Sequence, residues 1–174
     1  MKSQNFNVAE ISYSHTGLDT GVVTLDACTY LRDQEITIVE EDDYNEFFTH
    51  GCAGVDEHTE TGARLTVTFA IKRDYDVLKL LFPNKYADGA ASGFVQKNNA
   101  GAKSQKTVLK IVPLGAADDT DAMLFTAFIV ATENTTGTAA GTDYVQIVAK
   151  ATMIGIDGTK NDNLVEYGVD FPAA

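Results

Sequence analysis

His50, Cys52, Asp56 and His58 fall in one short stretch with the pattern H-x-C-x5-H. Imidazole and thiolate are zinc ligands, and a structural site needs about four of them within tetrahedral reach. This spacing matches no finger pattern, and Gly51 and Gly54 interrupt it, so a solvated loop is expected and no metal is assigned. Glu40-Glu41-Asp42-Asp43 offers oxygens to a hard cation such as Ca2+, but it lacks the spaced ligands and turn glycine of a calcium loop. A solvated acidic edge is the expectation there. Tyr44, Phe47 and Phe48 have rings that can stack on a ligand, anchor their own loop or meet another protein.

Asp19-Thr20-Gly21 has the residue types with which paired carboxylates share a proton in aspartic proteases. No apolar strand leads into it, so it reads as a turn. Serine-nucleophile signatures, phosphate-cradling glycine loops and C-x-x-C are absent. Asn134-Thr135-Thr136 would accept a glycan only in a secreted eukaryotic chain. No catalytic, metal or cofactor-binding residue is assigned, and the chain is expected not to be an enzyme.

The 174 residues suit one domain, with 44% hydrophobic side chains to fill its core. No apolar run approaches the ~18 residues that a membrane helix needs. The first residues are polar, with no apolar run after Lys2, so no secretory signal is expected. Cys28 and Cys52 suit a reducing compartment or simple burial, and their pairing is left open. Thirteen basic and twenty-five acidic side chains give a net charge of −12, which repels a polyanion and disfavours nucleic-acid recognition. The charge is segregated. Residues 33–62 contain many acids and neither Lys nor Arg, whereas residues 85–110 hold five lysines and a single acid, Asp88.

The elements that must carry these side chains are mostly strands. Residues 62–73 alternate Ala63, Leu65, Val67, Phe69 and Ile71 with Arg64, Thr66, Thr68, Ala70 and Lys72, a half-buried β pattern. Residues 143–156 alternate likewise, with Gln146 and Lys150 on the polar row. Further strands are predicted over 21–25, 35–41, 106–114, 122–132 and, more weakly, 164–171. A short helix follows Asp74 as N-cap, with Val77, Leu80 and Leu81 on one face and Pro83 as its stop. Residues 42–61 and 84–105 are expected to be long loops. The predicted fold is mainly β, an antiparallel β-sandwich or barrel with one short α-helix and long loops. It divides into an N-terminal arm over 1–20 and a single domain over 21–174.

The order of these features, above all the strand, helix and proline of residues 62–83, resembles the bacteriophage tail tube, or major tail, protein family over roughly residues 20–171. The resemblance is one of pattern, without an invariant motif. It implies a β-sandwich whose copies form hexamers: six close into a ring, and rings stack into a hollow conduit for genome ejection. The implied partners are the chain itself, the tape measure, tail terminator and baseplate or tip proteins. DNA would pass through without specific binding. The implied location is the virion tail, with assembly in the host cytoplasm. The family supplies no catalytic residues to carry over. Candidate contacts between copies are Glu40, Glu41, Asp42, Asp43, Tyr44, Phe47 and Phe48 on the acidic side, and Lys97 and Lys103 on the basic side. The alternatives are another tail, decoration or filament subunit, or a ligand-binding module or small hydrolase with a preformed pocket.

Overall fold

A computed structural model describes residues 2–27, 29–31, 35–47, 57–97, 104–115, 121–134 and 144–174. Its strands, in chain order, are β1 (Lys2–Ser14), β2 (Val23–Asp26), β3 (Glu35–Phe47), β4 (Glu57–Lys72), β5 (Tyr86–Asp88), β6 (Phe94–Gln96), β7 (Gln105–Pro113), β8 (Met123–Asn134), β9 (Tyr144–Ala151) and β10 (Glu166–Tyr167). One α-helix, α1 (Tyr75–Leu81), lies between β4 and β5, and a single 3-10 turn (Ala90–Ser92) separates β5 from β6. Every strand pair is antiparallel.

The main sheet runs β10-β8-β7-β1-β3-β4-β9, with β2 also on β1 and β9 returning to pair with β8; β5 and β6 form a separate hairpin. Strands change neighbour along their length. Residues 2–7 of β1 pair with β3, and residues 8–14 pair with β7. Residues 123–129 of β8 pair with β7, and residues 127–134 pair with β9. Strands handed from one neighbour to the next in this way wrap around one core, so the fold is sandwich-like.

The alternation read in the sequence is what fills that core. Leu65, Val67, Phe69 and Ile71 of β4 meet Val145, Ile147 and Ala149 of β9, with Ala127 and Ile129 of β8 and Leu109 and Ile111 of β7 completing the interior. Each of the Val, Leu, Ile and Phe side chains among them, moved from water to a packed interior, contributes about 1.5–3 kcal/mol. Helix α1 starts where expected. Asp74 Oδ1 accepts from the backbone N–H of Asp76 at 2.9 Å and of Val77 at 3.3 Å. It stops at Phe82, before a proline that cannot continue a helix. Its buried face is Val77, Leu78 and Leu81, whereas Leu80, expected in the core, is exposed.

Four sequence expectations are corrected. Residues 2–14, expected as a loose arm, form β1, which lies between β3 and β7. Its alternation is hidden because a register shift between Val8 and Glu10 moves the buried positions from Val8 to Ile11 and Tyr13. Residues 42–47 and 57–61, expected within a long loop, continue β3 and β4 as a hairpin. Residues 86–96, inside the second expected loop, fold back as β5 and β6. The last expected strand shrinks to Glu166 and Tyr167.

Candidate assembly surface

Strand β3 has two neighbours only over its first part. The ladder with β1 runs from Asn7↔Glu35 to Lys2↔Glu40. The ladder of β4 with β9 begins at Thr66↔Lys150. Beyond these limits, residues 41–47 and 57–64 pair only with each other among the described residues. The result is a two-stranded ribbon about 20 Å long at ~3.3 Å per residue. In such a ribbon, half of the backbone N–H and C=O groups on each outer edge point away from the partner strand and are available to another chain.

The ribbon continues the backbone ladder that β3 and β4 form over the core. Glu40 and Asp42 are exposed and Glu41 is half-buried. Consecutive strand residues face opposite sides, so the acidic run cannot converge on one cation. A bulge interrupts the ladder between Asp43↔Gly62 and Tyr44↔Glu60, where Thr61 is the extra residue. A bulge of this kind increases local twist and turns the outer part of the ribbon relative to the sheet.

The other sequence candidates are dispersed. Tyr44 and Phe47 lie on the outer part of β3. Phe48, Lys103, His50, Cys52 and Asp56 fall outside the described residues, and His58 is a position on β4 opposite Glu46. Among the described residues, no group of three His, Cys, Asp or Glu side chains is placed to hold a metal ion. Asp19-Thr20-Gly21 is a turn, with Gly21 at φ +75°. The Asp19 carboxylate accepts from the Ala174 N–H at 3.0 Å, holding the chain end rather than a second carboxylate.

The basic segment 85–110 does not form one open patch. Lys85 donates to the Ala131 carbonyl at 3.2 Å, and Lys106 to that of Gly155 at 2.9 Å. Lys110 is buried on β7 and bonds Asp170 at 3.1 Å. Lys97 is exposed, with its ammonium on the Pro83 carbonyl at 3.1 Å.

A second surface was missed in the sequence reading. It is the outward side of β8, β9 and β4, opposite the core. One row across it reads Lys106, Phe128, Lys150, Thr66, and continues to Val39 on β3. The next reads Val130, Val148, Thr68, Thr37. Phe128 and Val130 are 38% and 45% exposed, large values for apolar side chains. The Lys106 ammonium lies 5.5 Å from the centre of the Phe128 ring, a cation–π contact. The alternation of 62–73 and 143–156 had already put Lys72 and Lys150 on this row; only its coherence across strands was hidden.

A shallow groove lies at the other end of the molecule, between Gly17, Val108, Phe125 and the 160–166 segment. Its charged members, Lys160, Asp162 and Glu166, are all exposed, and no buried titratable side chain converges there. Among the described residues, no helix is long and apolar enough to cross a membrane.

The fold therefore defines a mainly β, antiparallel, sandwich-like domain with a projecting ribbon. No family model and no curated protein matches the chain. Among solved structures, a chain from the phage p2 baseplate in its activated conformation with Sr is similar, with a TM-score of 0.43 and 10% sequence identity. The match covers 88% of this chain and 45% of that one, so this chain spans less than half of its length.

Proposed function

We propose that this protein is a structural subunit that polymerises through its β3–β4 ribbon, in the manner of a bacteriophage tail tube protein. The observation that carries the reading is the ribbon past Lys2↔Glu40 and Thr66↔Lys150, where two strands continue without a further neighbour among the described residues. Long unpaired edges promote association, and a sheet shared among copies removes them. A head-to-tail contact that closes gives a ring, and one that does not close gives a filament. Six-membered rings stacked into a tube would use both. Tape measure, terminator and baseplate or tip proteins would then meet the tube along its bore or at its ends.

In this role the subunit makes and breaks no bonds. Its net charge of −12 keeps a passing DNA backbone from adhering to the bore. Glu40, Glu41, Asp42, Asp43, Tyr44, Phe47 and Phe48 are the proposed contacts on the ribbon and its tip, and Lys97 and Lys103 are candidate contacts elsewhere.

Electron microscopy of the purified protein tests the reading. Stacked rings with a repeat of ~40 Å, the height of strands of this length at ~3.3 Å per residue, are the expected result. Monomers at high concentration would overturn it. Isolated rings or decorated surfaces would favour another tail or decoration subunit.

A further inference from the structure

The outward side of β8, β9 and β4 carries the opposite charge to the molecule as a whole. Its charged side chains are Lys150 and Lys72, with Lys106 of β7 at its margin, and no acid lies on the outward rows of the three strands between Thr66 and Lys72, Phe128 and Val130, or Gln146 and Lys150. In a chain of net charge −12, that is a segregated cationic face. Lys150 and Lys72 are exposed, and among the described residues no carboxylate pairs with either. Between them lie Thr66, Thr68, Ala70, Gln146 and Val148, all half-buried. This is a flat, small-side-chain surface on which a backbone ribbon can lie.

The spacing fits such a ribbon. Lys150 is level with Thr66 and Lys72 with Tyr144, so the two ammonium groups stand six residues apart along β4, roughly 20 Å. The ribbon of residues 41–47 and 57–64 has about the same length, and all of its charged positions other than Arg64 are acidic.

We propose that the acidic β3–β4 ribbon of one copy docks across the β8–β9–β4 face of the next, between Lys150 and Lys72, with Phe128 and Val130 as its apolar margin. The inference rests on the self-assembly reading and names the surface that receives the ribbon. Complementary charge steers such a contact and sets its register more than it adds affinity. A nucleic-acid backbone is the poorer occupant, because the rest of the molecule repels a polyanion.

Charge exchange tests it. The readout is the concentration at which the full-length protein begins to sediment as polymer. Lys72→Glu with Lys150→Glu, and separately Glu40→Lys with Asp42→Lys, should each raise that concentration about tenfold, a loss of ~1.4 kcal/mol per contact. Mixing the two variants in equal amounts should restore assembly to within about threefold of wild type, since the reversed face of one meets the reversed ribbon of the other. Lys97→Glu with Lys103→Glu should act more weakly than the face variant. Wild-type assembly by either double variant, no rescue on mixing, or a larger effect at Lys97 and Lys103 would overturn the docking surface and leave self-assembly standing. If wild-type protein never polymerises, the functional reading fails, and this inference with it. Circular dichroism confirms folding. Should the glutamates unfold the protein, Lys72→Gln with Lys150→Gln reads the same contact, and an unchanged assembly concentration then refutes the proposal.

Discussion

Lys2 stands opposite Glu40, and theirs is the last pair in the ladder between β1 and β3. On one side of it β3 is an interior strand with a neighbour on each edge. On the other it is half of a ribbon joined only to β4 among the described residues. The change occurs within one residue and coincides with the loss of buried side chains: Ile36 and Ile38 are in the core, while Glu40 and Asp42 are exposed. Backbone hydrogen bonding thus outruns the hydrophobic core, and the excess strand is what a second copy can use.

Shortening the ribbon separates folding from assembly. Asp43 and Gly62 are paired across the ladder, so replacing residues 44–61 with Asn-Gly closes the hairpin with a two-residue turn. The shortened protein is expected to keep its β circular-dichroism spectrum and a melting temperature within a few degrees, and to stay monomeric at concentrations where the full chain polymerises. Polymer formation by the shortened protein would remove the ribbon from the account.

Tyr13 is 1% exposed, and among the described residues its hydroxyl has no hydrogen-bond partner. Burial pushes its ionisation well above the ordinary phenol range. Leaving a buried hydroxyl unpaired costs about 1–3 kcal/mol, and Phe keeps the ring without that cost. Tyr13→Phe should therefore be neutral or stabilising by up to about 1 kcal/mol in urea unfolding. A loss of more than 1 kcal/mol would reveal a partner for the hydroxyl.

Asp170 links the chain end to the core. Its carboxylate accepts from the Phe171 backbone N–H and from Lys110, and these bonds, in that order, hold its pKa below the ordinary carboxylate value. A depressed folded-state pKa gives stability that is complete above the unfolded value, about 3.9, and is lost as pH falls through the lower folded value. The side chain is 73% exposed, so solvent screening keeps the contribution to roughly 0.5–1 kcal/mol. Asp170→Asn should lower stability by that amount at pH 6–7, and the gap from wild type should close below about pH 4. A gap that does not narrow at all as the pH falls below the unfolded value would assign the loss to packing around Phe171.

Asp74→Ala removes the side chain that caps two N–H groups of α1. The expected cost is about 1 kcal/mol in chemical unfolding, with assembly unchanged because α1 lies outside the ribbon. Loss of polymer at full stability would bring the helix into the contact.

The parts legible in the sequence are those where burial imposes a period. The alternation at 62–73 and 143–156 gives β4 and β9 with the correct inward rows, and Asp74 marks the helix start. What escaped had no such signal. The bulge after Val8 shifts the phase of β1, so Ile11 and Tyr13 fall out of step with Val8. In the ribbon, Glu41, Asp42 and Asp43 follow one another with no apolar alternation, and therefore look like loop residues. Leu80 fits the helical stripe, but the helix turns Leu78 inward in its place. For the cationic face, Lys72 and Lys150 were assigned to outward rows on separate strands, and only the β4–β9 register unites them. The segment 85–110 misled in the other direction, because Lys85, Lys97, Lys106 and Lys110 hold backbone carbonyls or a carboxylate of the same chain.

The central claim is that the ribbon edges gain a partner when copies meet, and amide hydrogen exchange of monomer and polymer measures this directly. In the monomer, the outward amides of residues 41–47 and 57–64 should exchange within the time expected of unpaired strand edges. In the polymer they should become protected at least tenfold, while core amides such as those of Val67 and Ile147 change little. Equal exchange at the ribbon in both states would contradict the account.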